Sequence, residues 1–376
     1  MKYFVISGEP SGDLHGGKLI CGLKAEDPNA QFRFCGGDCM AEAGGKEGLL
    51  LHYKEMSFFG FVNVVKNLRT IFSQIDRVKE AIAEFRPDVV ILIDYPSFNM
   101  RIAKWAKAQG IKVFYYIAPK VWAWKEWRVK GIRKYVDRLF TIFPFETAYF
   151  RGKGIDPIFC GNPLVDDIAE RRATLPTPEA FRRENGLDER PIVALLAGSR
   201  RTEIKANLPN MVALAERFPA YQFVVTAVPW IERRLYDQYL AQSNVRYLCN
   251  QTQQTLAMSE AAVVTSGTAT LETALMGIPE MVLYRVPKLY EVLRPYVLKI
   301  PFVSLVNINM NREVVREMIC AKLDLEQASE ELHAILRGGS KREKMLSDFA
   351  ELKALIGEEG ASRRFAREMV LALKNN

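Results

Sequence analysis

Short apolar runs alternate with amphipathic segments along most of the chain. Consecutive Val, Ile, Phe and Tyr positions are typical of strands in a parallel sheet that is covered on both faces. The segments between the runs have helical spacing, so the first half is predicted to form one α/β domain. Its predicted strands read KYFVIS, QFRFCG, PDVVILID, KVFYYI, DRLFTIF and PIFCG.

The alternation weakens near residues 163–190, where the chain is polar and marked by prolines, and then resumes. The later strands are predicted at IVALL, YQFVVTA, NVRYLC, AAVVTSG and PEMVLYR, before a helical end without strands. Domains usually have about 100 to 200 residues, so a chain of 376 residues favours two. We predict two Rossmann-like domains that face a cleft, residues 1–165 and 166–344, followed by helices at residues 345–376. Ligands of such sheets bind at the carboxyl ends of the strands.

The composition is that of a globular protein, with 49 % hydrophobic and 26 % charged residues. The first apolar run is too short for a secretory signal, and no run approaches the roughly 18 apolar residues of a membrane span. We therefore expect a cytoplasmic protein. The six cysteines are scattered without the spacing of a zinc site and are predicted to be free thiols.

The formal net charge of the chain is +8. Such a charge favours anionic partners, namely nucleic acid, anionic lipid or phosphorylated metabolites, without choosing among them. The chain lacks the blocks of Lys and Arg that mark a nucleic-acid-binding tail.

A strand in the second half ends in hydroxyl residues and glycine, within VVTSGTATLE. A helix is predicted to start at residues 266–268, where backbone N–H groups and hydroxyls suit an anion such as a diphosphate. Glu272 follows on this helix, where its carboxylate can accept hydrogen bonds from a ribose. The alternative is structural, with Thr268 as a plain N-cap and Glu272 as a partner of the helix dipole. The residues alone favour neither interpretation.

A second loop of this kind, ALLAGSRRTEI, follows the first strand of the second half. Gly198 permits close backbone approach, and a guanidinium such as that of Arg200 can bind two phosphate oxygens. The alternative, a solvated Arg at a helix start, is slightly disfavoured because positive charge is unfavourable at that end of a helix. An anion near Arg200 would remove the conflict.

In the first half, a long apolar strand ends at Asp94, within IDYPSFN. A partly buried carboxylate at the end of a central strand can act as a general base with a raised pKa. The alternative is that Asp94 caps the following helix. The next motif, APKVWAWKEWRVK, interleaves tryptophans with Lys and Arg. It favours a mixture of a stacking surface and core packing.

An amphipathic segment spans residues 58–78. Apolar residues form one stripe, whereas Lys, Arg and Asn occupy the opposite side. Such a helix usually faces a core, yet the preceding SFFGF and the basic side also suit the interface of an anionic membrane. On a membrane, the contact residues would be Phe58, Phe59, Phe61, Val65, Leu68 and Phe72.

Six motifs extend over nearly the whole chain, in the order SGEPSGDLHG, IDYPSFN, IAPKVWAWK, LLAGSR, TSGTATLE and FVSLVNINMNRE. Together they resemble the lipid-A-disaccharide synthases, inverting glycosyltransferases of family 19 with a GT-B fold. The resemblance implies transfer of 2,3-diacylglucosamine from its UDP donor to 2,3-diacylglucosamine 1-phosphate. The product is the β-1,6 disaccharide of lipid A, and UDP is released.

The resemblance also implies partners and a location. Both substrates are acylated and anionic, so the basic charge and the segment at residues 58–78 share a purpose in docking on the cytoplasmic face of the Gram-negative inner membrane. It implies that helices from about residue 345 onward return to the first domain, and it admits a homodimer that exchanges them. We expect no nucleic-acid partner.

Residue by residue, the resemblance assigns Asp94 as the general base for the acceptor's 6-hydroxyl and Arg200 as an arginine needed for activity. Many family members carry a second Asp where this chain has Ser97, which leaves Asp94 as the better candidate. The acids of SGEPSGDLHGG would repel a diphosphate and suit sugar hydroxyls, so this loop is assigned to the acceptor side. The remaining substrate-binding residues are assigned as Glu9, Ser11, Gly12, Asp13, Asn99, Ser199, Ser266, Gly267, Thr268, Ala269, Glu272 and Asn307.

The predicted chemistry needs one base and a stabilised leaving diphosphate. Arg200 and the helix start at residues 266–268 can supply the stabilisation, and the sequence has no DxD motif. We therefore predict catalysis without a metal or another cofactor. The nearest alternative is a GT-B transferase or epimerase for a soluble sugar, which would have no use for the apolar, basic segment. A basic nucleic-acid-binding protein, from another class, does not explain the sugar-nucleotide loop.

Overall fold

The computed structural model describes residues 1–56, 68–122, 126–288 and 301–375. The chain divides into two compact units. Unit 1 contains residues 1–166 and the residues from 357 onward, and unit 2 contains residues 167–356.

The elements of unit 1 alternate between strand and helix, as the sequence pattern predicts. The strands are β1 (Lys2–Ser7), β2 (Gln31–Gly36), β3 (Leu49–His52), β4 (Val89–Ile93), β5 (Lys112–Tyr116), β6 (Arg138–Thr141) and β7 (Ile158–Phe159). The helices are α1 (Pro10–Glu26), α2 (Asp38–Gly44), α3 (Tyr53–Met56), α4 (Leu68–Phe85), α5 (Pro96–Ala108), α6 (Val129–Tyr135), α7 (Pro144–Arg151) and α8 (Pro163–Arg172). The division between the units falls within α8.

Unit 2 repeats the alternation, and the chain then ends in unit 1. The strands of unit 2 are β8 (Ile192–Leu196), β9 (Gln222–Ala227), β10 (Arg246–Cys249), β11 (Ser259–Val264), β12 (Glu280–Arg285) and β13 (Glu317–Cys320). Its helices are α9 (Pro178–Asn185), α10 (Arg201–Ala215), α11 (Arg233–Leu240), α12 (Thr252–Ala257), α13 (Thr268–Leu275), α14 (Leu305–Met310), α15 (Leu325–Ile335) and α16 (Arg342–Ile356). The last helix, α17 (Ala361–Lys374), belongs to unit 1.

The described strands of unit 1 form one parallel sheet in the order β3-β2-β1-β4-β5-β6-β7. The central strand β4 reads VVILI, and all its side chains are buried. Val90 and Leu92 pack in the core that includes α4 and α5, whereas Ile91 and Ile93 pack on the other face with α1. The strand order reverses between β1 and β4, which is where ligands of such sheets bind.

The last helix, α17, packs against α1. Gly22 allows this close approach, because a Cβ at that position would lie 2.9 Å from the Cβ of Ala366. Phe365 is fully buried in the core on the same face of the sheet. The carboxylate of Asp166 accepts the backbone N–H groups of residues 360–362 at 2.6 to 3.2 Å and so fixes the start of α17.

The return to unit 1 begins at residue 357, later in the chain than the position near residue 345 that the family resemblance implies. Residues 345–356 are part of α16, which lies in unit 2. Met345 and Phe349 are buried there, and Asp348 is paired with Arg312 at 3.0 Å. Because α16 already buries its apolar face in unit 2, only the residues from 357 onward return.

The described strands of unit 2 form a second parallel sheet, in the order β10-β9-β8-β11-β12-β13. Its order reverses between β8 and β11, where Val264 pairs with Leu196. The predicted α/β class with two Rossmann-like parallel sheets is therefore confirmed.

An acid without a partner is buried in unit 2. Glu280, the first residue of β12, is fully buried, and no described residue donates a hydrogen bond to either of its carboxylate oxygens. Burial raises the pKa of Glu280 well above its usual range, because the charged form is disfavoured away from water. The free energy of unfolding therefore decreases as the pH rises above the unfolded pKa, because the unfolded chain releases the proton of Glu280 more readily than the folded chain does.

We expect Glu280→Gln to remove this pH dependence. The folded pKa of Glu280 is raised, so its contribution to stability is fully present below the unfolded pKa and is lost as the pH rises toward the folded pKa. Over that interval the difference in free energy of unfolding, variant minus wild type, should increase by about 1.4 kcal/mol for each pH unit of rise. Urea unfolding of both proteins at several values between about pH 5 and 8 measures the difference. Two parallel pH curves would contradict the expectation.

Candidate active site

The carboxyl end of β4 leads into a strained turn that begins at Asp94. Asp94 and Tyr95 have φ angles of +43° and +46°, a left-handed conformation that residues other than glycine rarely adopt. Two side chains hold the turn: Asn99 Nδ2 donates to the carbonyl of Asp94 at 2.8 Å, and the Tyr115 hydroxyl donates to the same carbonyl. Such strain persists only where the surroundings fix it, and it is concentrated at functional sites.

The carboxylate of Asp94 is half-buried among charged groups. Burial raises the pKa of Asp94 to about 6, with a smaller contribution from Glu9, while Lys120 acts in the opposite direction. Glu9 follows β1 and Lys120 follows β5, the two strands that flank β4. The three groups therefore meet at the point where the strand order reverses.

The opening motif, SGEPSGDLHGG, lies against this turn, and its residues from Pro10 onward form the start of α1. A Cβ on Gly8 would lie 2.4 Å from the ring of Tyr95, so only glycine allows the contact. A Cβ on Gly12 would lie 2.3 Å from a serine hydroxyl at the end of β1. Glu9 is half-buried and Ser11 is exposed. Glu9, the N-cap of α1, and Ser11, in its first turn, thus lie at the same edge of the sheet as the strained turn.

Two residues assigned to substrate binding serve the backbone of unit 1. Asp13 is buried and accepts the N–H groups of Gly37 at 2.6 Å and of Cys39 and Met40 at 3.1 Å, which caps α2. Asn99 is fully buried beneath the strained turn. Both residues therefore have structural partners in unit 1, and their contact with a substrate stays a prediction.

Glu146 is a buried acid that the sequence pattern does not single out. It lies at the start of α7, where acids are common because they interact favourably with the helix dipole. Its position in the sequence therefore gives no sign that it is buried. Burial raises the pKa of Glu146 to about 7, although a 3.1 Å hydrogen bond from Trp122 Nε1 and the charge of Lys120 lower it. Lys120 therefore acts on both Asp94 and Glu146.

In unit 2 the carboxyl ends of β8 and β11 lie side by side. The loop after β11 opens α13, with φ of +129° at Gly267, and no side-chain cap of this helix is present among the described residues. An uncapped helix start suits an anion. This edge brings together the predicted donor residues Ser199, Arg200, Ser266, Gly267, Thr268 and Ala269.

Arg200 occupies the N-cap position of α10 and is largely exposed. Its Nη1 donates to Glu203 Oε1 at 3.0 Å, and the backbone N–H groups of Ser199 and Arg200 donate to Glu203 Oε2 at 3.0 and 3.2 Å. The sequence predicts an anion near Arg200, and in the structure the carboxylate of Glu203, three residues further along, occupies that position. A phosphate at this loop would compete with that carboxylate.

Glu272 lies one turn into α13 and is half-buried. Burial raises its pKa, while a hydrogen bond from Gln253 and the charge of Arg171 lower it and Asp167 raises it further. Gln253 Nε2 donates to Glu272 Oε1 and so fixes one carboxylate oxygen. The sequence pattern does not single out Gln253, because its partner lies 19 residues away.

Asn307 is fully buried and has no free hydrogen-bonding position. Its Nδ2 donates to the carbonyl of Val315 at 2.8 Å and to Glu317 Oε1 at 2.9 Å. Its Oδ1 accepts the N–H groups of Val314 and Val315 at 2.7 and 3.0 Å. An amide with two donors and two acceptor positions used in this way is a structural anchor. Asn307 therefore has a structural role, and its contact with the donor stays a prediction.

Trp230 is an aromatic residue at the edge of unit 2 that the sequence pattern does not reveal. It follows β9, the neighbour of β8, and 65 % of it is exposed. Its Nε1 donates to the carbonyl of Ser199 at 3.0 Å. A single Trp after a strand has no diagnostic spacing, so only the structure shows that it lies beside the Ser199–Arg200 loop.

The predicted membrane residues are only partly covered by the structure. Outside the described residues lie Phe58, Phe59, Phe61 and Val65. Leu68 begins α4, and Phe72 is 45 % exposed, with the guanidinium of Arg101 4.9 Å from its ring centroid. Further along α4, Ile75 and Val78 are buried in the core of unit 1. Within the described ranges, no helix combines the length and apolar content that a membrane crossing needs.

Sequence comparison relates the chain to one group of proteins. The family model described as lipid-A-disaccharide synthetase matches residues 3–369. The lipid-A-disaccharide synthase of Myxococcus xanthus is 38 % identical, with 99 % of this chain and 97 % of the relative covered. That of Syntrophus aciditrophicus is 35 % identical, with 99 % and 98 % covered.

Solved structures show the same fold at low identity. The UDP-GlcNAc 2-epimerase of Neisseria meningitidis, bound to UDP-GlcNAc, is 14 % identical with a TM-score of 0.66, and the match covers 100 % of both chains. That of Methanocaldococcus jannaschii, in complex with UDP-GlcNAc and UDP, is 13 % identical with a TM-score of 0.65, covering 99 % of this chain and 100 % of the other. These likenesses concern the fold alone. By the family match over residues 3–369 and the identity to its relatives, the chain belongs to the lipid-A-disaccharide synthetase family of glycosyltransferases.

Proposed function

We propose that the chain is a lipid-A-disaccharide synthase. It transfers 2,3-diacylglucosamine from its UDP donor to O6 of 2,3-diacylglucosamine 1-phosphate, which yields the β-1,6 disaccharide 1-phosphate and UDP. Family membership over nearly the whole chain supports this activity. The structural observation that supports it best is the strained, half-buried Asp94 at the carboxyl edge of the unit 1 sheet.

On unit 1, Asp94 is the proposed general base. With a pKa of about 6, its carboxylate is mostly ionised at neutral pH and is still basic enough to accept a proton. It takes the proton of the acceptor's 6-hydroxyl while O6 bonds to C1 of the donor sugar. The bond from C1 to the diphosphate oxygen breaks with inversion, and its electron pair leaves with UDP. Glu9 and Ser11, at the same edge, bind sugar hydroxyls.

On unit 2, Arg200 and the uncapped start of α13 bind the diphosphate in this proposal. Arg200 exchanges Glu203 for phosphate oxygens, and the helix N–H groups stabilise the negative charge that develops as UDP leaves. Glu272, held by Gln253, accepts hydrogen bonds from the ribose hydroxyls. These groups supply the stabilisation that a metal ion would otherwise provide, so the proposed reaction is metal-independent.

The proposed location is the cytoplasmic face of the inner membrane, where acylated substrates reside. The net charge of +8 and the exposed Phe72 with Arg101 over its ring support a peripheral contact with an anionic surface. The homodimer stays a prediction.

The test of the activity is incubation of the purified chain with UDP-2,3-diacylglucosamine and 2,3-diacylglucosamine 1-phosphate. We expect disaccharide and UDP in equal amounts, with and without EDTA. UDP-GlcNAc with free GlcNAc serves as the soluble control pair and should give no transfer. Transfer between the control pair alone would favour the soluble-sugar enzyme, and no product from either pair would contradict the proposal. Inhibition by EDTA would contradict only metal independence.

A further inference from the structure

A basic groove of about 390 Å³ opens in unit 1 between α4 and the end of β3 with α3. Arg69, Ser73 and Arg77 line it at intervals of four residues on α4. Residues four apart share one face of a helix and follow each other by about 6 Å along its axis. Two long arginine side chains can therefore converge on the hydroxyl of Ser73, which lies between them.

The two arginines of this groove outnumber the one acid among its described residues, Glu55. Among the described residues, neither Arg69 nor Arg77 forms an ion pair. The only described hydrogen bond of Arg77 is a 3.4 Å contact from Nη2 to the carbonyl of Leu50. Both guanidinium groups thus have N–H donors available for a phosphate, which arginine binds through paired, charge-assisted hydrogen bonds.

The groove also offers hydrogen-bond acceptors, one on α4 itself and one on α3. Gln74 Nε2 donates to the carbonyl of Glu55 at 2.8 Å, which leaves Gln74 Oε1 buried with no donor among the described residues. The Glu55 carboxylate accepts the N–H of His52 at 3.0 Å and also faces the groove. A buried acceptor without a donor costs free energy, and a ligand hydroxyl would satisfy it.

The groove wall is tied to the turn that carries Asp94. The carbonyl of Met56, next to Glu55, accepts the hydroxyl of Tyr95 at 2.7 Å. Tyr95 directly follows Asp94 in the strained turn. A molecule held in the groove would therefore be fixed relative to the proposed base.

We infer that this groove binds the phosphorylated sugar headgroup of the acceptor, with the phosphate on Arg69 and Arg77 and a sugar hydroxyl on Gln74. The inference rests on the proposed function and adds the subsite that recognises the acceptor. A surface that only docks on anionic lipid needs the arginines and has no use for buried acceptors such as Gln74 Oε1. Cations and hydrogen-bond acceptors that line one groove match a sugar phosphate.

The test compares the wild type with the double variant Arg69→Gln/Arg77→Gln in neutral detergent micelles, without anionic lipid. The acceptor KM should rise at least about tenfold, since two charge-assisted hydrogen bonds are lost. The donor KM should stay within about twofold of the wild type, because no described groove residue belongs to unit 2. With 2,3-diacylglucosamine, the acceptor that lacks the phosphate, the two proteins should have equal KM values.

The matched control is Lys79→Gln/Lys104→Gln, which removes two charges from unit 1 outside the groove. Its acceptor KM should match the wild type. Glucosamine 1-phosphate binding, measured by calorimetry, should be saturable in the wild type and lost in the double arginine variant, whether or not transfer occurs. Three results would overturn the inference: an unchanged acceptor KM, an equal loss with both acceptors, or a loss confined to binding of anionic vesicles. Absence of transfer by the wild type, with glucosamine 1-phosphate binding intact, would contradict the proposed function and not the site.

Discussion

Asp94→Asn is expected to lower turnover by at least about a hundredfold while leaving UDP binding intact. Asn keeps the shape of the side chain and tolerates the left-handed conformation at φ +43°, so the turn should persist. What the variant loses is the oxygen that accepts the acceptor's proton. Initial rates of disaccharide formation, together with calorimetric titration by UDP, measure the two effects separately.

The pH dependence of the wild type checks the same assignment. A base must be deprotonated to act, and the pKa of Asp94 is raised to about 6, so kcat/KM should fall about tenfold per pH unit below that value. Ser97→Ala is the matched control, since Ser97 is exposed and its hydroxyl accepts one described hydrogen bond, from the guanidinium of Arg128 at 3.2 Å. Full turnover by Asp94→Asn would place the base elsewhere.

Asn307→Ala is expected to lower the free energy of unfolding by about 3 to 5 kcal/mol. The substitution removes four hydrogen bonds and leaves buried groups of Val314, Val315 and Glu317 with fewer partners. Urea unfolding of the whole chain measures the loss. The exposed Asn244 provides the control, because Asn244→Ala should change stability by less than about 0.5 kcal/mol.

The same variant separates the structural role of Asn307 from the donor contact that its motif suggests. Glu317 accepts the N–H groups of Val303 and Ser304 at 2.8 to 3.1 Å, and the hydroxyl of Ser266 donates to the carbonyl of Val303 at 3.2 Å. Loss of Asn307 should therefore weaken UDP binding only through a loosened loop. An Asn307→Ala protein of wild-type stability with poor UDP affinity would instead support direct contact with the donor.

The fold class is predictable from the chain because burial on both faces leaves a plain signature. The run VVILI in β4 is apolar at every position, as a central parallel strand requires. The end of such a strand lies at the carboxyl edge of its sheet, so the sequence also places Asp94 and Ser266 at the edges where ligands bind. The surface on which a helix packs is harder to predict than the position of a strand. The apolar face of α16 predicts that the helix is partly buried, but it does not show that the partner is unit 2.

The roles of individual polar residues are less predictable, because their partners lie far away in sequence. Asp13 lies in a motif that suggests a ligand contact, but the N–H groups that it accepts lie 24 to 27 residues away. Arg200 and Glu203 are a different case, since an acid three residues after a helix start is a recognised capping arrangement. The three-residue spacing therefore predicts that Glu203 is the anion beside Arg200.

The packing of α17 on α1 has a consequence for synthesis on the ribosome. The chain emerges from its N-terminus, so the sheet of unit 1 is made first, and roughly 190 residues of unit 2 follow before α17 exists. At translation rates of about 5 to 20 residues per second, that interval lasts roughly 10 to 40 s. Throughout it, the apolar face that Phe365 and Met369 finally cover has no native partner. Nascent chains of this protein should therefore need protection from aggregation until translation ends.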